Sequence, residues 1–248
     1  VALLLRRWSA LLNVKPRCAG LSATLPQAQR FFADLTGVKA DEVVCIAPAQ
    51  EEMISEGAEY NVVLRSDASS QVATLSTSIQ AVMLLARMLD PPGRTVSGGR
   101  FGSRSFVFTD DLDVTNRLFD NLLDAEAYRW RRPNPARRPL AALREVVGPE
   151  RAERERDGQC WQMAEALQTT LTNRLRIGRT SSRDPGVDAA ANVIVATSTL
   201  EVGFNDPEVG AVFQHKAPRS AASFLQRRGR AGRDRRMRPL TITVLSDY

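Results

Sequence analysis

The chain has 248 residues, with 34 Lys+Arg against 28 Asp+Glu, a formal net charge of +6, 43% hydrophobic and 25% charged residues. That balance fits a globular protein with one large core or two modest ones, and disfavours intrinsic disorder and a small stapled scaffold. Cys18, Cys45 and Cys160 lie far apart with no CxxC spacing, so a disulfide framework and a zinc cluster are both excluded and a reducing, cytoplasmic setting is expected. No apolar run reaches the ~20 residues that span a bilayer, so no membrane partner is expected.

The first residue is Val1, and Val1 to Leu12 already reads as an amphipathic helix in full stride, with Leu4, Leu5, Trp8, Leu11 and Leu12 at helical spacing. The chain is therefore expected to be a fragment of a longer protein. Lys15 and Pro16 break the helix, Arg17 to Leu25 reads as a short strand running into Ser22-Ala23-Thr24, and Gln27 to Leu35 as a helix closed by Gly37. Glu42 to Ala47 has the apolar content of a strand buried in a parallel sheet. An acidic, irregular stretch from Pro48 to Glu59 precedes a strand at Tyr60 to Leu64 and a polar breaker at Ser66 to Ser70, the expected crossing between two domains. Gln71 to Leu89 reads as a long helix, Ser105 to Thr109 as a buried strand, and Asp110 and Asp111 as caps of a helix over Leu112 to Ala125.

Tyr128 to Gly158 carries nine arginines and five acids without sustained apolar periodicity, and reads as a solvated, Arg/Pro-rich insertion. The regular pattern returns with a helix through Leu171 and a strand over Arg174 to Thr180. Strands over Asn192 to Thr197 and Ala211 to His215, a helix over Ser220 to Arg228 and a strand over Leu240 to Leu245 complete the chain. Alternating strands and helices predict an α/β fold on a parallel sheet.

The excess charge is local. Lys216 to Arg238 holds nine basic residues and one acid, while the remaining 225 residues carry 25 basic and 27 acidic side chains. Within it, Gln226-Arg227-Arg228-Gly229-Arg230-Ala231-Gly232-Arg233 places arginines three apart, on one side of a helix ending there, with glycines that leave room for a phosphate. Guanidinium groups suit that ligand because they stay charged and bond phosphate oxygens in pairs. A solvated basic helix end or a nonspecific nucleic-acid patch is the alternative.

This octet resembles the sixth motif of the superfamily 2 helicases, Q-R-x-G-R-x-G-R, at Gln226, Arg227, Gly229, Arg230, Gly232 and Arg233. Pro218, Ser220 and Phe224 resemble the approach to that motif, Ala196 to Asn205 the fifth motif, Ser22-Ala23-Thr24 the third and Ser105 to Asp110 the fourth, in the family's order. The resemblance implies a RecA-like parallel sheet flanked by helices, the helicase C-terminal lobe, over 66–248, with the last part of a preceding RecA-like lobe over 1–65. It implies ATP and Mg2+ as cofactors, with the metal ligands in the part of the first lobe that is missing here. Neither a G-x-x-x-x-G-K-[ST] loop nor a D-E-x-[HD] segment occurs in the 248 residues, so this chain alone is not expected to hydrolyse ATP.

The resemblance also assigns roles. Arg230 and Arg233 are implied as arginine fingers, Gln226, Arg227, Gly203, Asn205 and Gly229 as the ATP cleft, and Ser22 and Thr24 as the hydroxyls that couple nucleotide state to lobe closure. Thr109, Thr180, Ser181, Thr197 and Thr199 are the expected contacts to a nucleic-acid backbone, since hydroxyls and N–H groups at strand ends meet phosphates without reading bases. Asn205 stands where many relatives carry Asp, and Asp206 follows it. His215, the only histidine, reads as structural. Trp130 beside Arg129 to Arg138 reads as a base-stacking residue or as part of a solvated loop.

The leading expectation is an ATP-dependent DNA helicase or translocase with DNA as partner. The wording Leu-Asp-Val-Thr-Asn-Arg-Leu after the fourth motif, with Arg179 to Asp188, resembles large bacterial phage-defence helicases of the DISARM type, which would add defence-complex proteins as partners. An RNA helicase is the nearest alternative, since backbone contacts do not separate the two polymers. A nucleic-acid-binding assembly module without its own ATPase is the third reading.

Overall fold

The computed structural model describes residues 1–22, 25, 27–54, 57–66, 73–167, 169–181, 186–197 and 205–246. The chain divides into two units, Val1–Ser55 and Glu56–Tyr248. Among the described residues no helix is long and apolar enough to cross a membrane.

The first unit holds α1 (Ala2–Leu12), α2 (Ala28–Thr36) and 3-10 turns at Ala40–Glu42 and Gln50–Glu52. Helix α1 stops where Asn13 turns left-handed (φ 50°), and α2 where Gly37 does so (φ 79°) and donates its N–H to the Ala33 carbonyl. The strands expected over Arg17 to Leu25 and Glu42 to Ala47 do not form: no strand occurs among the described residues of this unit, and Ile46 is 94% exposed. An apolar run becomes a buried parallel strand only with ladder partners, and the described residues of the unit provide none.

The second unit begins with β1 (Tyr60–Arg65), α3 (Ala73–Leu85) and a 3-10 turn at Ala86–Met88, then β2 (Arg104–Phe108) and α4 (Leu112–Ala125). A hairpin of β3 (Tyr128–Arg129) and β4 (Arg132–Pro133) follows, then a 3-10 turn at Leu140–Arg144, α5 (Arg151–Arg156) and α6 (Gln162–Ala166). It closes with β5 (Ile177–Thr180), β6 (Val193–Ala196), β7 (Val209–His215), α7 (Ala221–Arg228) and β8 (Leu240–Leu245). Six strands form one sheet in the order β1-β8-β7-β2-β6-β5, every neighbouring pair parallel. This is the RecA-like α/β architecture expected for the chain. The boundary expected at 65/66 moves to 55/56, because β1 pairs with β8 from Tyr60↔Leu240 to Arg65↔Leu245 and so belongs to this sheet.

Both faces of the central strands are covered, which is why they read as continuous apolar runs. On one face Val107, Val193, Val195, Phe213 and Ile242 pack with Val82 of α3 and Leu118 and Leu122 of α4. On the other, Phe106, Phe108, Ile194, Ala196 and Val212 pack with Ala231, just beyond α7. Asp111 caps α4 as expected, its carboxylate accepting the N–H groups of Asp113 at 2.7 Å and Val114 at 3.3 Å.

The 128–158 stretch is exposed along most of its length but is tied to the core at Ala141. Ala141, beside Ala164 and Leu171, packs on Met83 and Ala125 as a third small core. Arg87 and Glu126 lock its edge through paired bonds of 2.9 and 2.6 Å, both side chains buried, and Glu126 also accepts the Leu175 N–H at 2.8 Å. Short helices and small apolar residues carry that packing, with too little periodicity to register as an amphipathic pattern.

Candidate nucleotide and nucleic-acid site

Strands β2, β6 and β5 are parallel neighbours, so the chain leaves all three on one edge of the sheet, after Phe108, Ala196 and Thr180. The carboxyl ends of parallel strands are where α/β sheets collect ligands. Among the predicted backbone contacts, Thr197 sits here half-buried. Thr109 is fully buried, its N–H donates to the Ala196 carbonyl, and its hydroxyl is held between Thr115 Oγ1 at 2.5 Å and the Asp111 carbonyl at 3.1 Å. It is a cap joining β2 to α4. Thr180 and Ser181 are likewise buried at the end of β5. Thr199 and Gly203 lie outside the described residues, as does Thr24, while Ser22 is exposed.

Helix α7 starts at Ser220, whose Oγ accepts the Ser223 N–H at 3.1 Å, and runs to Gly229. The arginines expected on one side separate. Arg227 turns inward with its side chain 3% exposed, forms an ion pair with Asp110 and lies 5.4 Å from the centroid of Phe108. Arg230 lies beyond the last helical residue, half-buried, its Nε donating to the Gln226 carbonyl at 3.3 Å. Arg233 is exposed and makes no ion pair among the described residues. The helix ends before Arg230, so the three-residue spacing no longer maps onto one face.

The glycines act differently from the expectation. At Gly232 (φ 71°) a Cβ would meet Pro239 at 2.6 Å, and at Gly229 the Leu225 carbonyl at 3.2 Å, so both permit close packing of the backbone instead of opening space for a ligand. Asn205 is exposed, whereas Asp206 is buried and paired with Arg104 at 2.8 Å. Asp206 therefore braces the start of β2. Asp234 binds Arg236 at 2.8 Å, and these hydrogen bonds hold its carboxyl down at about 2. His215 is structural: its Nδ1 lies 2.8 Å from Ser78 Oγ, and burial, reinforced by Lys216 and Arg117, lowers its pKa to about 4.

Asp110, expected as a helix cap and as the end of the fourth motif, is the partner that anchors Arg227 across 117 residues of chain. The available signal was an acid one residue past a buried strand. The exposed guanidinium of Arg233 and the backbone-tethered one of Arg230 fit a polyphosphate, whose oxygens accept from such donors.

Residues 169–235 match the helicase conserved C-terminal domain. No curated protein matches the chain. Among solved structures, Dbp5 of S. cerevisiae bound to RNA and ADP-BeF3 aligns with a TM-score of 0.50 at 13% identity, covering 98% of this chain and 49% of that one. The Mycobacterium smegmatis helicase Lhr, bound to ssDNA and AMP-PNP, gives 0.53 at 19%, covering 98% and 26%. The DUF1998 helicase MrfA, bound to DNA and AMPPNP, gives 0.52 at 16%, covering 100% and 28%. The chain thus spans about half of Dbp5 and about a quarter of the other two. At these identities the likeness is one of fold, and it agrees with the parallel sheet built above. Residues 169–235 are thus similar to the helicase conserved C-terminal domain, and the chain as a whole has a RecA-like fold.

Proposed function

We propose that this chain is the second motor lobe of a nucleic-acid-dependent ATPase, a helicase or translocase acting on DNA, with the end of the first lobe in residues 1–55. The observation that carries the reading is the end of α7: a buried Arg227 fixes the helix to the end of β2, and Arg230 and Arg233 follow it at a position matched by the helicase domain. In this reading Arg230 and Arg233 supply positive charge to the γ-phosphate of ATP as it leaves, while Gln226 holds Arg230 through its carbonyl. In the same reading exposed Asn205 belongs to the nucleotide site, and Thr197 meets the nucleic-acid backbone at the sheet edge. Mg2+ is expected on first-lobe residues outside this chain. DNA is preferred for the large bacterial phage-defence wording of the sequence and RNA is the alternative; the structures it resembles include helicases bound to either.

The test is nucleic-acid-stimulated ATP hydrolysis by the full-length protein in a cytoplasm-like buffer. Arg230→Ala and Arg233→Ala are expected to lower turnover by about 10³-fold or more, with nucleotide still bound. Turnover within a few-fold of the parent refutes the finger assignment.

A further inference from the structure

The β3–β4 hairpin lies outside the helicase match and outside every motif assigned above. Its register pairs Arg129 with Arg132, leaving a two-residue turn of Trp130 and Arg131. Both turn residues are left-handed, at φ 53° and 58°. Tight hairpins want that backbone, and Asn-Gly adopts it freely, whereas a large side chain is disfavoured there. Strained turns persist where the surroundings enforce them. Here Arg174 donates to the carbonyls of Glu126, Asn134 and Arg137 at 3.1, 2.7 and 2.6 Å, and the Asn134 N–H donates to the Ala127 carbonyl at 2.9 Å.

The anchored turn presents Trp130 to solvent, 86% exposed. From 129 to 138 there are five arginines and no acid. Among the described residues only Arg137 of these is ion-paired, to Asp124 at 3.0 Å. The Arg131 guanidinium rests 5.6 Å from the centroid of Phe119, and that of Arg179 lies 5.5 Å from the same ring. Beside them opens a cavity of about 370 Å³ along the edge strand β5, lined by Arg131, Arg176, Arg179 and Tyr128, with Asp188 the one acid among the described lining residues.

We propose that this hairpin and its cavity are a second docking site for single-stranded nucleic acid, separate from the motif residues, in which Trp130 stacks on a base and the surrounding arginines take the flanking phosphates. Charge complementarity selects a polyanion, and an exposed indole on an anchored turn with arginines on either side in the sequence suits a stacked base more than an acidic peptide. The site deepens the nucleic-acid reading and rests on it for the class of ligand.

The test measures Kd of the full-length protein for dT and rU strands of roughly 10 and 30 nucleotides, the shorter filling only one site. Trp130→Ala is expected to weaken the long strand about tenfold and leave the short one unchanged, while Trp130→Phe stays within about threefold of the parent. Arg129→Ala with Arg132→Ala is expected to reduce the slope of log K against log salt by about 1.4. Replacing the turn by W130N with R131G is expected to raise the melting temperature while reproducing the Trp130→Ala loss. Equal affinity of parent and Trp130→Ala at both lengths overturns the proposal, and is the result if the patch reads an acidic protein instead. A Trp130→Phe variant as weak as Trp130→Ala overturns it too, because stacking then plays no part. If Thr197→Ala weakens binding while Trp130→Ala does not, the hairpin site fails and the motor reading stands; a parent that binds no strand of either length removes both.

Discussion

Asp110→Ala isolates the contact that holds α7 in place. The partner left behind, Arg227, has 3% of its side chain exposed, so its charge has almost no access to water once the carboxylate is gone, while Asp110 itself is 31% exposed. Breaking a wholly buried pair costs about 3–5 kcal/mol, and an exposed one under about 1. The exposure of Asp110 lowers the figure, and Arg227 keeps its place over Phe108, so the expected loss is about 2–3 kcal/mol. For a domain of this size that is a fall of roughly 5–10 °C in Tm. Urea unfolding of parent, Asp110→Ala, Arg227→Met and the double variant completes a cycle, in which the double variant should be more stable than the two losses added together predict, because methionine removes the stranded charge. A loss below about 0.5 kcal/mol in Asp110→Ala, or simple additivity of the two, refutes the view that this pair anchors the helix.

Two further outcomes follow from the core. His215 has its pKa lowered from 6.5 to about 4, so the folded form holds its proton less tightly than the unfolded chain. The stability it contributes is whole above pH 6.5 and falls as pH drops toward 4, by roughly 3 kcal/mol in all. His215→Gln, which keeps a partner for Ser78, is expected to remove that part of the slope in urea midpoints between pH 7 and 4.5; equal slopes refute the assignment. Gly210→Ala would set its Cβ 1.5 Å from the Phe101 carbonyl oxygen, a backbone atom that cannot yield without moving the entry to β2. A loss of about 3 kcal/mol or more is expected in thermal melts, and a variant as stable as the parent would show that this approach is looser than the geometry.

The central strands of the second unit were legible because they are buried on both sides and flanked by polar breaks, as at Ser105 to Thr109 and Asn192 to Thr197. The same signal misled at Glu42 to Ala47. An apolar run reports that a segment suits burial, and not whether a ladder partner exists among the residues around it. Tyr60 to Leu64 failed in the other direction: the strand was correct, but its assignment to the first domain followed chain order, whereas pairing with β8, about 180 residues later, decides where it belongs. Long-range pairing of that kind leaves no local trace.

The site divides along a similar line. Arg227, Arg230 and Arg233 are the same residue type at equal spacing, and sequence reasoning gave them one face of one helix. Their environments differ because the helix stops at Arg228, so the residues beyond it follow a turn governed by Gly229 and Gly232. Inside the helix, position selects Arg227 for burial, and burial of a guanidinium demands a carboxylate. Asp110 supplies it from the end of β2, the strand where Thr109 caps α4 with its hydroxyl fully buried. Thr109 thus has its hydroxyl committed within the fold, and its neighbour Asp110, predicted to be a cap, joins the strand edge to the helix that precedes the proposed finger arginines. A shift of α7 must move Asp110, and with it the end of β2 beside the strand that delivers Thr197. Coupling between nucleotide and nucleic acid in this lobe should accordingly weaken in Asp110→Asn even at temperatures where the fold is intact.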